Sequence, residues 1–486
     1  MTETLAWRQA RQAFFRSFVL METPLPSLFI RHMSIATTKE RRKAMFGYSI
    51  VQLARRHAAR LDRPLRHALV NMYQPMMRMP CIFHRWVERW LRKWRTLSVL
   101  IEVENAEGME AVAKAERDHF RMKVRHHFRH VPFYSARVTP AAIEQLLEHP
   151  KVKKVYLNRQ VKALLNNAVP SANAKHVAVN GTELSGKGVT IAIVDTGIYP
   201  HPDLEGRIAA FVDFVNGRTA PYDDNGHGTH CAGDAAGNGR MSDGLYAGPA
   251  YEANVVGVKV LDRSGSGTLE TIMRGIEWCI DYNEQNPAGR INIMSLSLGG
   301  EPQPFPTEND DPLVQVAERA WERGIVVCAA AGNEGPSYGT IASPGISDRI
   351  ITVGALDDRD TAATRADDEV ASFSSRGPTE YGVTKPDLVV PGVNIVSLRA
   401  PRSMLDKMNK QSRVGDHYMT MSGTSMATPI CAGIVALMLQ AKPTATPDEV
   451  KQALKDGADL WKGRDPNVYG AGYVNAKRAV ELLLQR

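Results

Sequence analysis

The chain has 486 residues, 43% of them hydrophobic, which is enough for a large core and for two or three domains. Its five cysteines are odd in number, widely spaced and form no CxxC pair. They therefore indicate neither a disulfide framework nor a zinc site, and they fit a reducing compartment. The formal net charge of +8 divides into +14 for residues 1–95, +4 for residues 96–168 and −10 for the remainder. This asymmetry favours attraction within the chain over nucleic-acid binding, so we expect no nucleic-acid partner.

Residues 1–95 form a predicted basic, partly helical N-terminal leader. The early apolar run is short and interrupted by arginines, so it does not resemble a secretory signal, and no transmembrane segment is evident. A cytoplasmic location is therefore expected. Within the leader, residues 82–95 place aromatic and aliphatic side chains at spacings of three and four with arginines between them, which predicts a basic amphipathic helix. This helix could make a peripheral contact with an anionic membrane, or it could dock on the acidic main domain.

Residues 96–167 form a predicted small α+β domain. Strand patterns at 97–103, 133–138 and 151–157 alternate with helical stretches at 109–127 and 140–147. This β-α-β-α-β order is typical of a ferredoxin-like unit. The tail that follows, from residue 158, is extended and lacks turn residues. A small module directly before an enzyme-like domain favours an intramolecular inhibitor and folding aid, although any small binding module remains open.

Residues 168–486 form the predicted main domain. Buried strand patterns at 188–195, 255–260, 291–296 and 325–331 alternate with helical stretches. Such alternation predicts an α/β fold built on a doubly wound parallel sheet. Functional residues of such sheets collect at the carboxyl ends of the strands.

Four polar residues stand at positions suited to catalysis. Asp195 ends a strand, His227 stands between two glycines at a helix start, and Asn333 lies on a glycine-flanked turn after a strand. Ser425 opens an apolar stretch that predicts a buried helix. Taken alone, Ser425 is as well explained as a helix cap. A metal site at His227 and His230 is the weaker alternative, because no third ligand is close in sequence.

Together these residue types match nucleophilic catalysis. A serine hydroxyl needs an imidazole to take its proton, and the imidazole needs a carboxylate that fixes its tautomer. The tetrahedral intermediate needs preorganised hydrogen-bond donors. The Asn333 amide and the Ser425 backbone N–H would supply them.

Four segments resemble the motifs of subtilisin-type serine peptidases, in the order that these peptidases use. They are IVDTG at 193–197, HGTHCAG at 227–233, AGN at 331–333 and GTSMATP at 423–429. The chain from about residue 45 is similar to the AprX-type subtilases of bacilli, a group of intracellular alkaline serine proteases. Residues 96–167 are similar to the subtilase inhibitor-type propeptide.

The resemblance implies a subtilisin-like fold and a role for each residue of the set. Asp195 would orient His227, His227 would act as base and then acid, Ser425 would be the nucleophile, and Asn333 would stabilise the oxyanion. Two strands would hold the substrate backbone, and small residues would line a roomy, apolar P1 pocket. The substrate-binding residues would be Gly265, Ser266, Gly267, Ser297, Leu298, Gly299, Ala330 and Gly332.

The resemblance bears on three further residues. Ala342 stands where many relatives have glycine at the pocket floor, so the pocket could be shallower. Cys231 should lie under the catalytic imidazole, where a mercurial would partly inhibit the enzyme. No cofactor is required for the chemistry, but a structural calcium is an option at Asp203, which could equally cap its turn.

The leading interpretation is therefore a serine endopeptidase that forms an acyl-enzyme and is made as a precursor. Its partners would be peptide or protein substrates and its own propeptide, removed near residues 165–168. One alternative is a subtilase-fold scaffold that docks to membrane or nucleic acid through its leader. Another is an esterase, which would not need the substrate-binding strands.

Overall fold

The computed structural model describes residues 49–72, 84–119, 121–158, 160–163, 174, 177–179, 181–303, 305–359, 368–459 and 464–486. The start of the predicted leader and the predicted processing region at 165–168 lie outside the described residues.

The N-terminal part contains five helices and four strands among the described residues. These are α1 (Ser49–Arg56), α2 (Arg63–Asn71), α3 (His84–Trp94), β1 (Leu97–Val103), α4 (Ala106–Asp118), β2 (Lys123–His127), β3 (Phe133–Val138), α5 (Pro140–Glu148) and β4 (Val152–Leu157). The strands form an antiparallel sheet in the order β2-β3-β1-β4. Thr139 caps α5 by accepting from the Ala142 N–H, and Pro140 opens the helix, as the sequence predicted.

One predicted element of the small domain is wrong. The helical stretch expected over 109–127 ends at Asp118, and Lys123–His127 form β2 instead. The order is therefore β-α-β-β-α-β. Strand β2 is an edge strand with alternating exposure, and its residues carry no apolar periodicity. Pairing with β3, which is a tertiary contact, decides its conformation.

The described helices of the predicted leader pack against this small sheet. Leucines from α1, α2, α3 and the segment before α2 join the core of the small domain; they are Leu53, Leu61, Leu65, Leu69 and Leu91. The Arg60 guanidinium donates to the carbonyls of Leu147 (2.6 Å) and His149 (2.8 Å). Segment 49–71 thus covers one side of the small domain.

Helix α3 lies on α5 and exposes its tryptophans. Leu91 is buried and Arg92 forms an ion pair with Glu144 of α5. The neighbour of α3 is thus the small domain rather than the acidic main domain that the charge pattern suggested. Three tryptophans, spaced four residues apart, point outward with exposed fractions of 63, 48 and 43%: Trp86, Trp90 and Trp94.

The main domain contains the remaining elements. Its strands are β6 (Ala178–Val179), β7 (Thr182–Glu183), β8 (Thr190–Asp195), β9 (Ile208–Asp213), β10 (Asn254–Lys259), β11 (Ser266–Thr268), β12 (Ile293–Leu296), β13 (Leu298–Gly299), β14 (Val326–Ala330), β15 (Ile351–Asp357), β16 (Glu369–Val370), β17 (Leu388–Pro391), β18 (Ile395–Leu398), β19 (Arg413–Val414) and β20 (Tyr418–Met421). Its helices are α6 (His227–Ala236), α7 (Leu269–Gln285), α8 (Pro312–Glu322), α9 (Met404–Met408), α10 (Thr424–Ala441), α11 (Pro447–Gly457), α12 (Pro466–Tyr469) and α13 (Ala476–Gln485). Strand β5 (Gln160–Ala163) connects the two parts.

The main sheet has the order β9-β10-β8-β12-β14-β15-β17, and every neighbouring pair in it is parallel. Strand β16 adds an antiparallel pair at the end of β15. Helices α6 and α10 contact each other, as do α7 and α8, and each pair also contacts the sheet. The strand order reverses beside β8, so the carboxyl end of β8 faces the crevice where such sheets bind ligands.

Helix α10 is the central helix of the main domain. It is apolar nearly all round, and residues Thr424 to Leu439 are buried, as the sequence predicted. By length and composition it could cross a membrane, but 89% of it is buried inside the protein, as in a core helix. Its interior Pro429 has no N–H to donate to the Ser425 carbonyl. That carbonyl instead accepts from the Ser297 hydroxyl at 2.8 Å, which ties the helix start to β13.

Candidate active site

Asp195 and His227 form a buried pair at the centre of the crevice. Asp195 ends β8 and His227 begins α6, and both are fully buried. The Asp195 Oδ1 atom lies 2.7 Å from His227 Nδ1. This contact fixes the tautomer with the proton on Nδ1 and leaves Nε2 to act as a base. Nε2 is buried and has no hydrogen-bond partner among the described residues.

The position of His227 depends on the turn before it. Gly226 has φ = 106°, and a Cβ there would lie 2.6 Å from the Ser403 hydroxyl, so only glycine fits. The Asn225 side chain accepts from the His227 N–H at 3.1 Å. The Asp223 carboxylate accepts from the Gly226 and Thr229 N–H groups, at 2.8 and 2.9 Å. These contacts orient the imidazole through the backbone of α6.

Opposing effects act on the pKa of His227. Burial lowers it, but the Asp195 carboxylate and its hydrogen bond raise it, with smaller contributions from Asp223 and Asp234. The net effect is a pKa raised above the ordinary value of 6.5. The site therefore favours the imidazolium that forms when His227 takes a proton.

Ser425 lies in the first turn of α10 and is fully buried. Its hydroxyl donates to the Ser297 carbonyl at 3.3 Å, rather than to His227. The Cys231 sulfur lies 3.8 Å from His227 Nδ1 and 3.5 Å from the Ser425 carbonyl, so it touches both residues. Hydrogen bonds of a catalytic serine are often formed only with substrate, and the observed geometry leaves Ser425 in the same crevice as His227.

Asn333 is held with its amide nitrogen available. Its Oδ1 atom accepts from the Thr424 N–H at 3.0 Å and the Thr424 hydroxyl at 3.1 Å. Its Nδ2 atom is buried and has no hydrogen-bond partner among the described residues. Gly332 before it has φ = 114°, and a Cβ would lie 2.6 Å from the Ser375 hydroxyl. An orphaned donor beside the start of α10 is suited to an oxyanion.

The predicted substrate strands hold the tail of the small domain. Strand β5 lies between β11 and β13 in a three-stranded antiparallel sheet. Ser266 pairs with Lys162 and Gly267 with Val161 on one side, and Leu298 pairs with Ala163 and Gly299 with Lys162 on the other. Leu298 follows Ser297, whose carbonyl accepts from the Ser425 hydroxyl. The tail thus occupies the edges at which a substrate backbone would pair, close to Ser425.

The predicted pocket residues Ala330 and Gly332 lie at the carboxyl end of β14 and in the turn that follows it. Ala330 ends β14 and is buried, and the Ala342 N–H donates to the Ala331 carbonyl at 2.8 Å. A Cβ on Gly332 would lie 3.2 Å from Cβ of Ala342, so these two residues adjoin. Gly265 forms the turn before β11 and donates to the Asp262 carbonyl.

Two residues considered as metal ligands have protein partners. The Asp203 carboxylate is buried and accepts from the Tyr418 hydroxyl (2.6 Å) and the Met241 N–H (3.0 Å), whereas its own turn is capped by His201. His230 Nδ1 lies 2.9 Å from Asp234, and its Nε2 contacts the backbone carbonyls of two strands. His230 is thus turned away from His227, and calcium at Asp203 remains an untested expectation.

Sequence reasoning missed two residues that organise the site, Thr196 and Lys259. Thr196 donates its hydroxyl to Asp223 and accepts from the Gly228 N–H. Lys259 is buried and donates to the Thr196 carbonyl (2.6 Å), the Leu261 carbonyl (2.8 Å) and Asp224 (2.8 Å). The signal for Lys259 was its place at the end of a buried strand, because a lysine there must find several acceptors.

The sequence model of the subtilase family, Peptidase S8, matches residues 186–472. The chain belongs to the subtilase family. The model of the peptidase inhibitor I9 family matches residues 85–164 of this subtilase, which overlaps the predicted propeptide domain and the end of the predicted leader. The exact domain limits remain predictions.

Known subtilases are similar over most of the chain. Serine protease AprX of Bacillus subtilis (strain 168) is 57% identical over 440 residues, covering 90% of this chain and 99% of that protein. Thermitase of Thermoactinomyces vulgaris is 35% identical, covering 61% of this chain and 90% of thermitase. The solved structure of fervidolysin from Fervidobacterium pennivorans shares the fold, with a TM-score of 0.60, 22% identity and coverage of 79% of this chain and 61% of its own.

These findings confirm the resemblance and the fold. The subtilase is a subtilisin-type serine protease with an I9 inhibitor domain. Enzymes of this family need no cofactor for catalysis. The alternative of a scaffold that only docks to membrane or nucleic acid finds no support in these similarities.

Proposed function

We propose that this subtilase is an endopeptidase that is made as a precursor and cleaves its own chain after the small domain. The observation that carries the proposal is strand β5, which pairs with β11 and β13 as a peptide substrate would. Hydrolysis of a peptide bond within a chain requires a cleft open at both ends to an extended backbone. An esterase acting on small acyl groups would have no use for these two strand edges.

In the proposed mechanism, the Ser425 hydroxyl oxygen attacks the carbonyl carbon of the scissile bond. Its proton passes to His227 Nε2, and Asp195 stabilises the resulting imidazolium. Asn333 Nδ2 and the Ser425 backbone N–H donate to the oxyanion. His227 then gives the proton to the leaving amine, which departs and leaves an acyl-enzyme. Water, deprotonated by His227, hydrolyses the acyl-enzyme and restores Ser425.

Hydrolysis of fluorogenic peptides by the wild type and by Ser425→Ala tests this proposal. We expect the alanine variant to lose about 10⁴–10⁶ in kcat, the range typical of losing a catalytic nucleophile. Ser337→Ala is the matched control, because it makes the same substitution at an exposed serine. Retained activity in Ser425→Ala would refute the assignment of the nucleophile.

The same assay separates an endopeptidase from an esterase. Peptides extended on the amino side of the scissile bond can pair with β11 and β13, so we expect their kcat/KM to exceed that of a single blocked amino acid. Equal values for short and extended substrates would favour the esterase.

The P1 preference is a separate test. Within a series of peptides that differ only at P1, the small residues near Ala330 and Gly332 lead us to expect a higher kcat/KM for Leu or Phe than for Gly or Asp.

We also propose that α3 contacts an anionic membrane from a cytoplasmic location. The exposed tryptophans Trp86, Trp90 and Trp94 alternate with basic residues, which is the composition of an interfacial helix. Co-sedimentation of the Ser425→Ala precursor with anionic vesicles tests this contact. Binding that survives replacement of all three tryptophans by alanine would contradict it.

A further inference from the structure

Helix α7 presents three carboxylates to the small domain. Glu270, Glu277 and Asp281 are spaced seven and four residues apart, which places them on one face of the helix. They are only 6, 3 and 9% exposed in the full-length chain, in which the small domain lies against them. We call these three residues the acidic face of α7.

The small domain supplies the charged partners of two of these carboxylates. Asp281 binds the side chains of Arg129 and His130, the latter at 2.7 Å. Glu277 lies 3.2 Å from His126 Nε2 and accepts from the His130 N–H at 2.8 Å. Among the described residues, no basic side chain of the main domain lies within ion-pair distance of Glu277 or Asp281. Loss of the small domain would therefore leave both carboxylates without a cation.

Glu277 carries a negative charge in this contact. Burial raises its pKa, but hydrogen bonds from His126 and from the backbone N–H groups of His130 and Arg129 lower it, and the net effect is a pKa below the ordinary value. Exposure to water on release of the small domain removes the burial that opposes ionisation. The carboxylate therefore stays charged at neutral pH in either state.

Glu270 marks the end of α7 that lies nearest to the substrate strands. Its carboxylate accepts from Asn158 Nδ2 at 3.3 Å, and its N–H donates to Asn158 Oδ1 at 3.1 Å. Asn158 precedes β5 by two residues. The guanidinium groups of Arg125 in the small domain and Arg274 in α7 each lie 4.0 Å from the Glu270 carboxylate. The acidic face thus begins beside the strand that occupies the cleft.

The direction of β5 leads a bound chain to the acidic face. Strand β5 is antiparallel to β11, and Gln160 pairs with Thr268, the residue immediately before α7. The amino side of a chain bound in this way therefore leaves the cleft at the start of α7. Glu277 and Asp281 lie seven and eleven residues beyond Glu270, which is ~10 and ~16 Å along the helix. An extended chain spans these distances with about three to five residues.

We propose that the acidic face of α7, once the small domain has left, binds a basic segment of protein substrates on the amino side of the scissile bond. This inference rests on the proposed removal of the small domain, whose basic side chains occupy the face in the full-length chain. Lysine or arginine side chains of an extended substrate would take the places of Arg129 and His130. The net charge of −10 on residues 169–486 would also attract such substrates. A neutral segment would gain nothing here, so the face adds selectivity outside the cleft.

Two polypeptides with the same cleavable sequence, flanked by a fluorophore and a quencher, test the proposal. One carries a run of arginines about three to five residues before the segment that would pair with β11, and the other carries serines in their place. The enzyme is wild type that intact mass shows to have lost the small domain. We expect its kcat/KM to be about three- to tenfold higher for the arginine substrate. Arginines moved to the carboxyl side, or salt at about 0.5 M, should remove most of this difference.

Substitutions locate the surface. Glu277→Gln combined with Asp281→Asn keeps the shapes of both side chains and removes both charges. We expect the ratio of the two kcat/KM values to fall to about 1 in this double variant. Glu284→Gln is the matched control and should keep the ratio, because Glu284 lies on α7 but pairs with Arg323 of the main domain.

The outcomes separate this proposal from the proposed function. Equal kcat/KM values for the two substrates in processed wild-type enzyme, or a ratio that survives in the double variant, would overturn the basic-segment proposal alone. A wild type that cleaves both substrates but keeps its small domain would contradict the precursor account together with this proposal. A wild type that cleaves neither substrate would refute the endopeptidase activity on which both rest.

Discussion

At the scale of single residues, two polar side chains of the site each leave one buried nitrogen without a hydrogen bond. His227 Nε2 and Asn333 Nδ2 are buried and without hydrogen-bond partners among the described residues. Such atoms are rare in folded proteins because each one costs stability. In each side chain the other polar atom is hydrogen-bonded: His227 Nδ1 bonds to Asp195, and Asn333 Oδ1 accepts from Thr424. The bonded atom fixes the orientation, and the unpaired atom is available to the reacting groups.

Asn333→Ala should lower kcat by about 10²–10³ with little change in KM, because the amide acts on the oxyanion rather than on the bound peptide. Steady-state kinetics with a fluorogenic peptide measure this difference. The fold should be retained, which circular dichroism checks. A rise in KM with unchanged kcat would show that Asn333 binds substrate and does not stabilise the transition state.

The pH dependence of activity should follow His227. The base must be neutral, and its pKa is raised above 6.5, so kcat/KM should rise through an acidic limb that lies above pH 6.5. Asp195→Asn removes the main cause of the raised pKa while burial still lowers it. We expect kcat to fall on the order of 10⁴-fold and the limb to move to lower pH. A limb that stays in place would mean that another group titrates.

Cys231 should make the enzyme sensitive to mercurials. One donor atom from each of Asp195, His227 and Cys231 lies within 4.8 Å of the others, so a metal on the thiol would disturb the pair. Burial raises the pKa of this thiol, and modification should therefore be slow. We expect partial inhibition of the wild type and none of Cys231→Ala, which keeps the other cysteines. Full activity after complete modification of Cys231 would contradict the geometry.

At the scale of elements, helix α7 is the surface on which the small domain is held. Glu277 accepts from the backbone N–H groups of Arg129 and His130 and lies 3.2 Å from His126 Nε2. Asp281 binds the side chains of His130 and Arg129. The basic side of the small domain thus meets an acidic helix, which agrees with the intramolecular attraction suggested by the charge distribution.

Glu277→Ala should weaken the hold of the small domain on the enzyme. It leaves two backbone N–H groups without their acceptor, which costs about 1–3 kcal/mol, or roughly 5- to 150-fold in dissociation. Faster dissociation of the small domain should shorten the lag before peptide hydrolysis begins, and the length of this lag is the quantity to measure. Glu284→Ala is the control, because Glu284 lies on α7 but pairs with Arg323 of the main domain. Equal lags in both variants would exclude Glu277 as an anchor.

At the scale of the whole molecule, the sequence predicted most of what local chemistry decides. The parallel sheet followed from buried strands alternating with helices. The catalytic roles of the site residues came from the resemblance of their motifs to those of subtilases, and these roles stay predictions. Strand β2 could not be predicted, since its five residues are polar or half-exposed and depend on pairing with β3. The roles of Lys259 and Glu277 were also hidden, because each acts through partners distant in sequence.

The central claim is that the small domain is a self-cleaved propeptide, and intact-mass measurement of the wild type and Ser425→Ala after expression tests it most directly. We predict that the wild type loses the chain up to about residues 165–168 while the alanine variant stays full length. If both proteins stay full length while only the wild type cleaves a fluorogenic peptide, the triad stands. The small domain would then be a permanent part of the enzyme, and the precursor account would be wrong.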